Sequence, residues 1–476
     1  MKAMIKAGVG PILFFVCYLV PFGGMDQMAR GAIGLLLWML LWWIMQPVGP
    51  SVTALLPILA AGVFKLADNG AVLKTYFNDT VLLLFSANII TLAWTKWGFD
   101  RRLSLMIMTR VGNNPKKLVA MWFILACGLS SMIANAVVAA VLFPIVLSTI
   151  TAVGITEDKI KTSNYATAAL LAVAWGSNVG FGTPLGGAMN LVSVNYIQDL
   201  IMGGKEFMYV DWVVRCVPMV IIIAVPMLAM LLTMKFEFKT LPNTKEVLQK
   251  ELDSLGKMNR GEVNSLIVFS VCFILSFARP LFQNSLPTLT PTRVFFIGAL
   301  ISFLLPGTGP EPLVTWNYCM PKIKWGVFFL ISGGTALGSV INGSGVGEMI
   351  ANSLAPVAGK HELVAIVIFA LIACAFSNIM TITGSMSLIQ PIVIATMNSL
   401  GVNPVAFVFL SNAAGNISIC LPSSGAGPAM VAGYGVDMKK MAKMGLRTVP
   451  VCLLSIIVLG YIMYLLWPGL GTLTGM

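Results

Sequence analysis

The chain has 476 residues, of which 58% are hydrophobic and only 10% are charged, with a formal net charge of +12. Because globular proteins carry about 25% charged residues, this composition excludes a soluble domain and predicts an integral membrane protein. Apolar runs close to the roughly 20 residues that a spanning helix needs recur along the chain, which favours helices over a barrel of short alternating strands. The basic residues lie between these runs, so they indicate membrane orientation rather than a nucleic-acid partner.

The order of apolar runs and basic clusters predicts the topology. If every basic cluster is cytoplasmic, the chain must cross the bilayer an even number of times between successive clusters. This condition requires Leu118–Val153 to enter and leave on the same side of the membrane as a re-entrant hairpin. A second hairpin is then predicted on the opposite side. The sequence thus predicts an all-α membrane protein of about 11 transmembrane helices plus two re-entrant helical hairpins, with the N-terminus cytoplasmic and the C-terminus outside. The basic clusters lie at residues 2–6, 96–117, 159–161, 235–260, 322–324 and 439–447.

Two similar halves are predicted on either side of a charged stretch at 235–260, interpreted as an amphipathic cytoplasmic linker rather than a regulatory module. The first apolar run is interpreted as a retained helix, not a signal peptide. The predicted divisions are N-terminal helices at 1–117, a first hairpin-containing segment at 118–210 (hairpin 118–153, broken helix 165–200), a connecting span and linker at 211–262, a second set of helices at 263–360, and a second hairpin-containing segment at 361–476 (hairpin 363–400, broken helix 403–435, last span 448–467).

The two predicted hairpins have similar sequences, which indicates an internal repeat. "LSSMIANAVVAAVLFPIV" (Leu129–Val146) and "FSNIMTITGSMSLIQPIV" (Phe376–Val393) share a serine-containing start, a short polar cluster and a hydrophobic-Pro-Ile-Val end. Alignment of Pro144 with Pro391 places Ser130, Ala134, Asn135 and Ala136 opposite Ser377, Thr381, Ile382 and Thr383.

A second pair of segments follows the hairpins. "GSNVGFGTPLGGAMNLV" (Gly176–Val192) and "GNISICLPSSGAGPAMV" (Gly415–Val431) contain glycines and prolines that are hard to keep in a regular helix. Irregular backbone at membrane depth is tolerated only inside protein or beside a wet cavity. These segments therefore predict two unwound helices at a polar site, and opposed repeats with discontinuous helices are typical of secondary transporters.

The charge distribution predicts the kind of ligand. Residues 118–156, 163–198 and 363–436 contain no lysine, arginine, aspartate, glutamate or histidine. Converging helix N-termini can bind an anion through backbone N–H groups without any arginine, whereas proton relays in membranes generally use acidic or histidine side chains. Asn135 alone fits helix packing equally well, but paired hairpins and paired broken helices together favour a site for a small anion.

At these residues the chain resembles the divalent anion/sodium symporter family of the ion transporter superfamily. Family hairpins carry Ser-Asn-Thr triplets before a run ending in Leu-Pro-Ile, and the broken helices carry Gly-Thr-Pro-Pro-Asn. Here the triplets correspond to Ala134-Asn135-Ala136 before "LFPI" and to Thr381-Ile382-Thr383 before "IQPI". The other motifs correspond to "GGAMN" (Gly186–Asn190) and "GAGPA" (Gly425–Ala429).

The resemblance implies a homodimer of elevator-type transporters in the plasma membrane, with di- or tricarboxylates, or sulfate in some branches, as substrates. It implies that the helices at 1–117 and 263–360 form a scaffold, and that 118–210 and 361–476 are the two halves of a mobile transport domain that holds both hairpins. It implies no enzyme activity and no cofactor. The substrate-binding positions that it implies are Ala134, Asn135, Ala136, Gly182, Thr183, Gly186, Asn190, Asn378, Thr381, Ile382, Thr383, Ser423, Ser424 and Gly425.

The sodium-site positions that the resemblance implies are degenerate: Ser130, Asn135, Ser377 and Asn378 remain, but alanines stand at 134 and 136 and isoleucine at 382. Sodium needs hard oxygen ligands. A carrier that binds no cation can still exchange one dicarboxylate for another. The sequence therefore predicts a sodium-independent exchanger of C4–C5 dicarboxylates such as succinate, 2-oxoglutarate or malate, similar to the exchanger branch of the family.

Three alternatives remain open. A sodium-coupled dicarboxylate symporter would hold the ion through backbone carbonyls, and an anion channel would share uncharged re-entrant segments. A membrane enzyme would need a nucleophile and base or a metal cluster, for which these segments offer few residues.

Overall fold

The computed structural model describes residues 2–22, 24–241, 244–323, 325–358, 361–422 and 425–474. Within these ranges the chain forms helices and no strand, apart from one isolated bridge between Pro306 and Pro312. The prediction of an all-α protein is therefore confirmed.

The α-helices of the first half are α1 (Lys2–Leu19), α2 (Gln27–Met45), α3 (Pro50–Thr53), α4 (Leu56–Phe64), α5 (Asn69–Thr75), α6 (Asp79–Trp97), α7 (Phe99–Met108), α8 (Pro115–Ser130), α9 (Asn135–Ala152), α10 (Glu157–Ile160), α11 (Asn164–Val179), α12 (Ala188–Tyr196), α13 (Tyr209–Leu232) and α14 (Thr244–Ser254). Those of the second half are α15 (Arg260–Phe277), α16 (Arg279–Phe282), α17 (Pro291–Ser302), α18 (Trp316–Cys319), α19 (Trp325–Gly343), α20 (Val346–Ala358), α21 (Glu362–Ile379), α22 (Ile382–Ser399), α23 (Val405–Gly415), α24 (Ala426–Gly433) and α25 (Met438–Leu466). Short 3₁₀ turns lie at Pro184–Gly186 and Pro468–Leu470, and a π-helical turn at Ile197–Ile201.

Seven helical stretches among the described residues are long and apolar enough to cross a membrane. Two of them are α9 and α21, which the sequence assigns to hairpins, so length alone does not separate a hairpin arm from a full span. The predicted count of about 11 spans stays a prediction. The seven are Gln27–Met45, Asn69–Trp97, Asn135–Ala152, Tyr209–Leu232, Arg260–Phe277, Glu362–Ile379 and Met438–Leu466.

Short polar side chains define where several helices begin. Asp26 accepts a hydrogen bond from Ala29 N at 2.7 Å, and Asn78 accepts one from Val81 N at 3.0 Å. Such caps pair backbone N–H groups that have no partner in the first helical turn. These short polar side chains therefore fix the first residues of α2 and α6.

The two halves pack together through helices outside the hairpins. Helix α6 packs against α15 and α17, and Trp94 Nε1 on α6 donates to Ser265 O on α15 at 3.2 Å. Helix α19 packs against both α12 and α22. Helices at 79–97, 260–277 and 291–302 therefore contact one another, and α19 borders both a broken-helix segment and a hairpin segment.

A buried ion pair fixes the linker between the halves. Arg102 Nε lies 2.6 Å from Glu262 Oε2, and its guanidinium also donates to the carbonyl oxygens of Leu255 and Gly256. Removal of one partner of such a pair leaves an uncompensated buried charge, at a cost of about 3–5 kcal/mol. The linker helix α14 is thereby held against α7 and α9.

The last helix differs from the sequence-based boundary. Helix α25 begins at Met438, ten residues before the predicted start of the last span. Asp437 accepts from Lys439 N at 2.7 Å and begins the helix there. The basic cluster at 439–447 consequently lies in the first turns of α25 and not in a preceding loop.

Candidate functional site

The first hairpin segment consists of α8, a short turn at 131–134, and α9. Ala134 is the N-cap of α9 and has no side chain with which to cap it. Ala134, Asn135 and Ala136 are all half-buried. Among the described residues, nothing hydrogen-bonds to the Asn135 side chain, so its amide and the uncapped first turn of α9 are free to bind a guest.

The second hairpin segment consists of α21, a turn at 380–381, and α22. Thr381 is the N-cap of α22, and its hydroxyl accepts from Gly384 N at 3.2 Å. Ile382 is buried and Thr383 is half-buried. This tip is therefore partly capped by its own side chain, whereas the corresponding tip of the first hairpin is not.

The first broken helix is interrupted between α11 and α12, as the glycines predict. The tip of the first hairpin is attached to this break. Ser130 Oγ donates to Ser177 O at 2.6 Å, and the Thr183 hydroxyl donates to Ser131 O. Gly182, Thr183 and Gly186 are buried.

Gly186 has a steric role in this junction. A Cβ atom at this position would overlap Gly180 O and lie 2.8 Å from Ser130 O. Real Cβ atoms do not approach backbone oxygens so closely, so only glycine fits here. The two carbonyl oxygens consequently both face the position that a Gly186 Cβ atom would occupy.

The second broken helix is interrupted between α23 and α24, and Asn378 holds the interruption. Its Oδ1 accepts from the N–H groups of Ile419 and Cys420 at 3.0 and 3.1 Å, and its Nδ2 donates to Ile417 O at 2.7 Å. Both ends of this amide are thus used by the backbone of the break.

The remaining candidates of the second half are Ser377, next to Asn378, and the residues at 423–425 in the second break. The Ser377 hydroxyl donates to Cys374 O at 3.1 Å, and Ser377 O accepts from the Ser418 hydroxyl. Gly425 is the N-cap of α24. Ser423 and Ser424, which the resemblance places in the substrate site, lie outside the described residues.

Side-chain hydrogen bonds among the described residues join the breaks of the two halves. Asn178 Nδ2 donates to Ser418 O at 2.7 Å, and Asn412 Nδ2 donates to Asn190 Oδ1 at 3.3 Å. Asn190 Nδ2 in turn donates to Thr183 O at 2.9 Å. The structure thus brings the two breaks together, with one hairpin tip attached to each; in the described part of the chain, the hydrogen bonds run through the breaks and not directly from one hairpin turn to the other.

Asn178, Ser418 and Asn412 were missed by the sequence-based site. Asn178 and Ser418 lie inside the glycine-rich segments that the sequence singled out, and Asn412 lies in "SNAAGN" just before the second one. The available signal was an asparagine or serine in an apolar stretch next to a helix break.

The electrostatics of these elements come from helix ends, because none of the candidate residues carries a charge. The starts of α9, α22 and α24 place partial positive charge near the tips and the second break. Two cavities of about 240 and 340 Å³ lie near the other end of α12, and Asp79 lines both, together with Glu206 in one and Asp199 in the other. Glu206 is paired with Arg279 at 2.8 Å, so Asp79 and Asp199 are the carboxylates that would repel a dianion, and the cavities are poorly suited to it.

The arrangement of two interrupted helices, joined to each other and each carrying a helical hairpin, defines the class of membrane proteins that bind a small polar ligand between half-helices. The chain belongs to the family described as sodium:sulfate symporter transmembrane region, whose model matches residues 5–473. It is therefore a multi-pass membrane transporter and not an enzyme. The family resemblance predicted from the motifs is confirmed.

Curated relatives match this chain over nearly its whole length. The chain is similar to the sodium-dependent dicarboxylate transporter SdcS of Staphylococcus saprophyticus, with 27% identity over 97% of this chain and 90% of that protein. It is 24% identical to SdcS of Staphylococcus aureus strain MRSA252, with the same coverage. The fold is similar to the structure of Neisseria gonorrhoeae MtrF, which belongs to a class of antimetabolite efflux pumps, with a TM-score of 0.55 and 14% identity over 95% of this chain and 97% of that one.

Proposed function

We propose that this protein is a secondary transporter of small dicarboxylates. The observation that carries the proposal is the junction of two broken helices, each attached to a hairpin tip, in segments with no charged side chain. Neutral amides, hydroxyls and helix N-termini suit a dianion because they provide hydrogen-bond donors without a permanent countercharge. The names of the staphylococcal relatives support the same substrate class.

The proposed binding groups are those at the two hairpin tips and the two breaks. Asn135 with the uncapped first turns of α9 and α24, two helices that pack together, would bind one carboxylate, and Thr383 with the start of α22 would bind the other. Asn378 and Asn190 would act indirectly, because their amides are engaged in holding the backbone of the breaks. A homodimer, an inverted repeat and elevator movement of the hairpin segments against the scaffold are part of the proposal, as is a cytoplasmic N-terminus.

Sodium coupling is the mode that we place first. The two carbonyl oxygens that converge beside Gly186, from Ser130 and Gly180, are the kind of hard ligand that sodium needs. The Ser130 hydroxyl oxygen lies on the same residue and keeps an acceptor position after donating to Ser177. The relatives named above are sodium-dependent. Sodium would be a co-transported substrate here.

Sodium-independent exchange, the mode predicted from sequence, is the second candidate. Its support is at the second hairpin, where both lone pairs of Asn378 Oδ1 are used by backbone N–H groups and Ile382 replaces an amide. A carrier with fewer cation ligands could still exchange dicarboxylates without net charge movement.

Proteoliposomes with purified protein separate these modes. Radiolabelled succinate uptake is measured with an inward sodium gradient, with potassium in its place, and with unlabelled succinate inside the vesicles. Uptake into empty vesicles that requires sodium indicates symport. Uptake that requires internal dicarboxylate and ignores sodium indicates exchange.

The absence of any dicarboxylate transport in either arrangement would refute the proposed substrate class. Sulfate is included as a competitor, since it is a dianion too small to reach both hairpin tips. Uptake of labelled sulfate by vesicles that take up no succinate would move the protein to another substrate class of the same family. Single-channel currents in the same vesicles would identify a channel instead.

A further inference from the structure

Asn178, in the last turn of α11, has a buried acceptor atom with no donor. The residue is fully buried, and its Nδ2 donates to Ser418 O at 2.7 Å. Within the part of the chain that the structure describes, its Oδ1 has no hydrogen-bond partner. Because a carbonyl can only accept, the bond to Ser418 fixes which end of the amide is the nitrogen. The unpaired atom is therefore an oxygen, and burial without a donor destabilises it.

This oxygen lies beside the start of α24. A Cβ atom placed on Gly425, the N-cap of α24, would be 3.5 Å from Asn178 Oδ1 and 3.7 Å from its Nδ2. Gly425 has no side chain to cap the helix. The backbone N–H groups of Ala426 and Gly427 have no partner within a helix, and Pro428 has no N–H. Among the described residues, Asn178 Oδ1 thus lacks a donor and lies beside a helix start whose N–H groups, those of Ala426 and Gly427, lack an acceptor within the helix.

The combination restricts what can bind there. A sodium ion would satisfy Oδ1 but would be repelled by the positive end of α24. A bare carboxylate would accept from the helix N–H groups but would leave Oδ1 without a donor. A carboxylate with a hydroxyl on the adjacent carbon satisfies both, since the carboxylate accepts from the helix and the hydroxyl donates to Oδ1.

We infer that Asn178 is a specificity-determining residue that selects 2-hydroxydicarboxylates over unsubstituted dicarboxylates, through a hydrogen bond from the substrate hydroxyl to Asn178 Oδ1. The inference rests on the proposed function, because it assumes that a substrate carboxylate binds at the start of α24. A site built to accept a substrate hydroxyl discriminates against analogues that lack it, because its own polar atom is then left unpaired.

The test is a comparison of three ligands on the purified, detergent-solubilised protein by titration calorimetry and thermal stabilisation. Malate has the hydroxyl, succinate has hydrogen in its place, and 2-fluorosuccinate has a fluorine that cannot donate. The wild type is expected to bind malate about fivefold more tightly than either analogue. The Asn178→Ala variant is expected to lose that preference, so that its affinities for malate and succinate become equal.

Asn416→Ala is the matched control. Asn416 is also fully buried with an unpaired Oδ1, and its Nδ2 likewise donates to a backbone carbonyl, that of Asn412, at 2.8 Å. This variant loses the same kind of hydrogen bond, so it is expected to melt at a lower temperature but to keep the preference for malate. The wild-type comparison of malate with 2-fluorosuccinate decides the inference even if Asn178→Ala does not fold.

The outcomes separate the inference from the proposed function. If none of the three ligands binds, the proposed function fails. If malate and 2-fluorosuccinate bind the wild type equally, or if Asn178→Ala keeps the preference, the inference is wrong and dicarboxylate transport stands. If sodium alone stabilises the wild type but not Asn178→Ala, and the preference for malate is unchanged, Oδ1 binds a cation and the inference is overturned.

Discussion

Asn135 and Asn378 both lie near hairpin tips, but their side chains have different surroundings. Asn378 is engaged at both ends of its amide, with the backbone of the second break at residues 417–420. Asn135 is half-buried at the uncapped start of α9, and nothing among the described residues hydrogen-bonds to its side chain. One asparagine is therefore suited to holding the backbone, and the other to binding a ligand.

Alanine at these two positions should separate stability from binding. Asn378→Ala leaves two backbone N–H groups and one carbonyl oxygen without partners, which should lower the free energy of unfolding by about 1–3 kcal/mol. Asn135→Ala removes no hydrogen bond and should change it by less than about 0.5 kcal/mol. Asn135→Ala should instead weaken succinate binding. Thermal melting of the purified variants with and without succinate measures both effects, and equal losses of stability would contradict these roles.

At the scale of elements, glycines allow close backbone contact at both helix breaks. Around Gly186 the approach of Gly180 O and Ser130 O leaves no room for a methyl group. Gly427 at the second break is similarly close to α11, since a Cβ there would lie 3.0 Å from the Cα of Ala174. These glycines allow the half-helices of both halves to meet without side chains between them.

The Gly186→Ala variant tests the tip-to-break junction. The added methyl group must displace backbone atoms and not a flexible side chain, so we expect a loss of about 1–3 kcal/mol of stability and a loss of transport. Gly128→Ala on α8 is the control, because a Cβ there meets nothing within 4 Å. The measurements are melting temperature and succinate uptake, and a fully active, stable Gly186→Ala protein would show that the junction is looser than the structure indicates.

The breaks could be predicted from sequence because glycine and proline interrupt helices by local rules, and the structure interrupts α11–α12 and α23–α24 within the predicted segments. The partners across the breaks could not. Asn178 and Ser418 are 240 residues apart, and no hydrophobic period relates their positions. The role of Asn378 could not be predicted for the same reason: its sequence position suggested contact with a ligand, whereas its side chain bonds to backbone groups of the second break, about 40 residues away.

At the scale of the whole molecule, α12 lies at the border between the proposed moving segments and the proposed scaffold. Asn195 Nδ2 on α12 donates to Thr335 Oγ1 on α19 at 3.0 Å. Asn195 Oδ1 accepts from Asn78 Nδ2 and Thr80 Oγ1 on the α6 side, both at 3.2 Å. The next residue, Tyr196, donates to Gly334 O. These bonds join residues 195–196 to both halves of the scaffold.

An elevator movement would have to break these contacts, so a covalent link at this border should stop transport. With the eight native cysteines replaced, Asn195→Cys and Thr335→Cys are introduced together and linked with Hg²⁺ or an oxidant. The expected result is loss of succinate uptake that a thiol reductant restores, because α12 can then no longer move past α19. Uptake in proteoliposomes before and after linking is the measurement.

The control pair lies entirely within the proposed scaffold. A Cβ atom placed on Gly326 would lie 3.4 Å from Ser51 Cβ, close to the Cβ separation in a disulfide, so Ser51→Cys with Gly326→Cys places two thiols within linking distance without joining scaffold to moving segment. Linking this pair should leave uptake unchanged, since neither residue moves relative to the other in an elevator. Full activity of the linked 195–335 protein would exclude movement of α12 past α19, and inhibition by both links would show that the scaffold itself changes shape during transport.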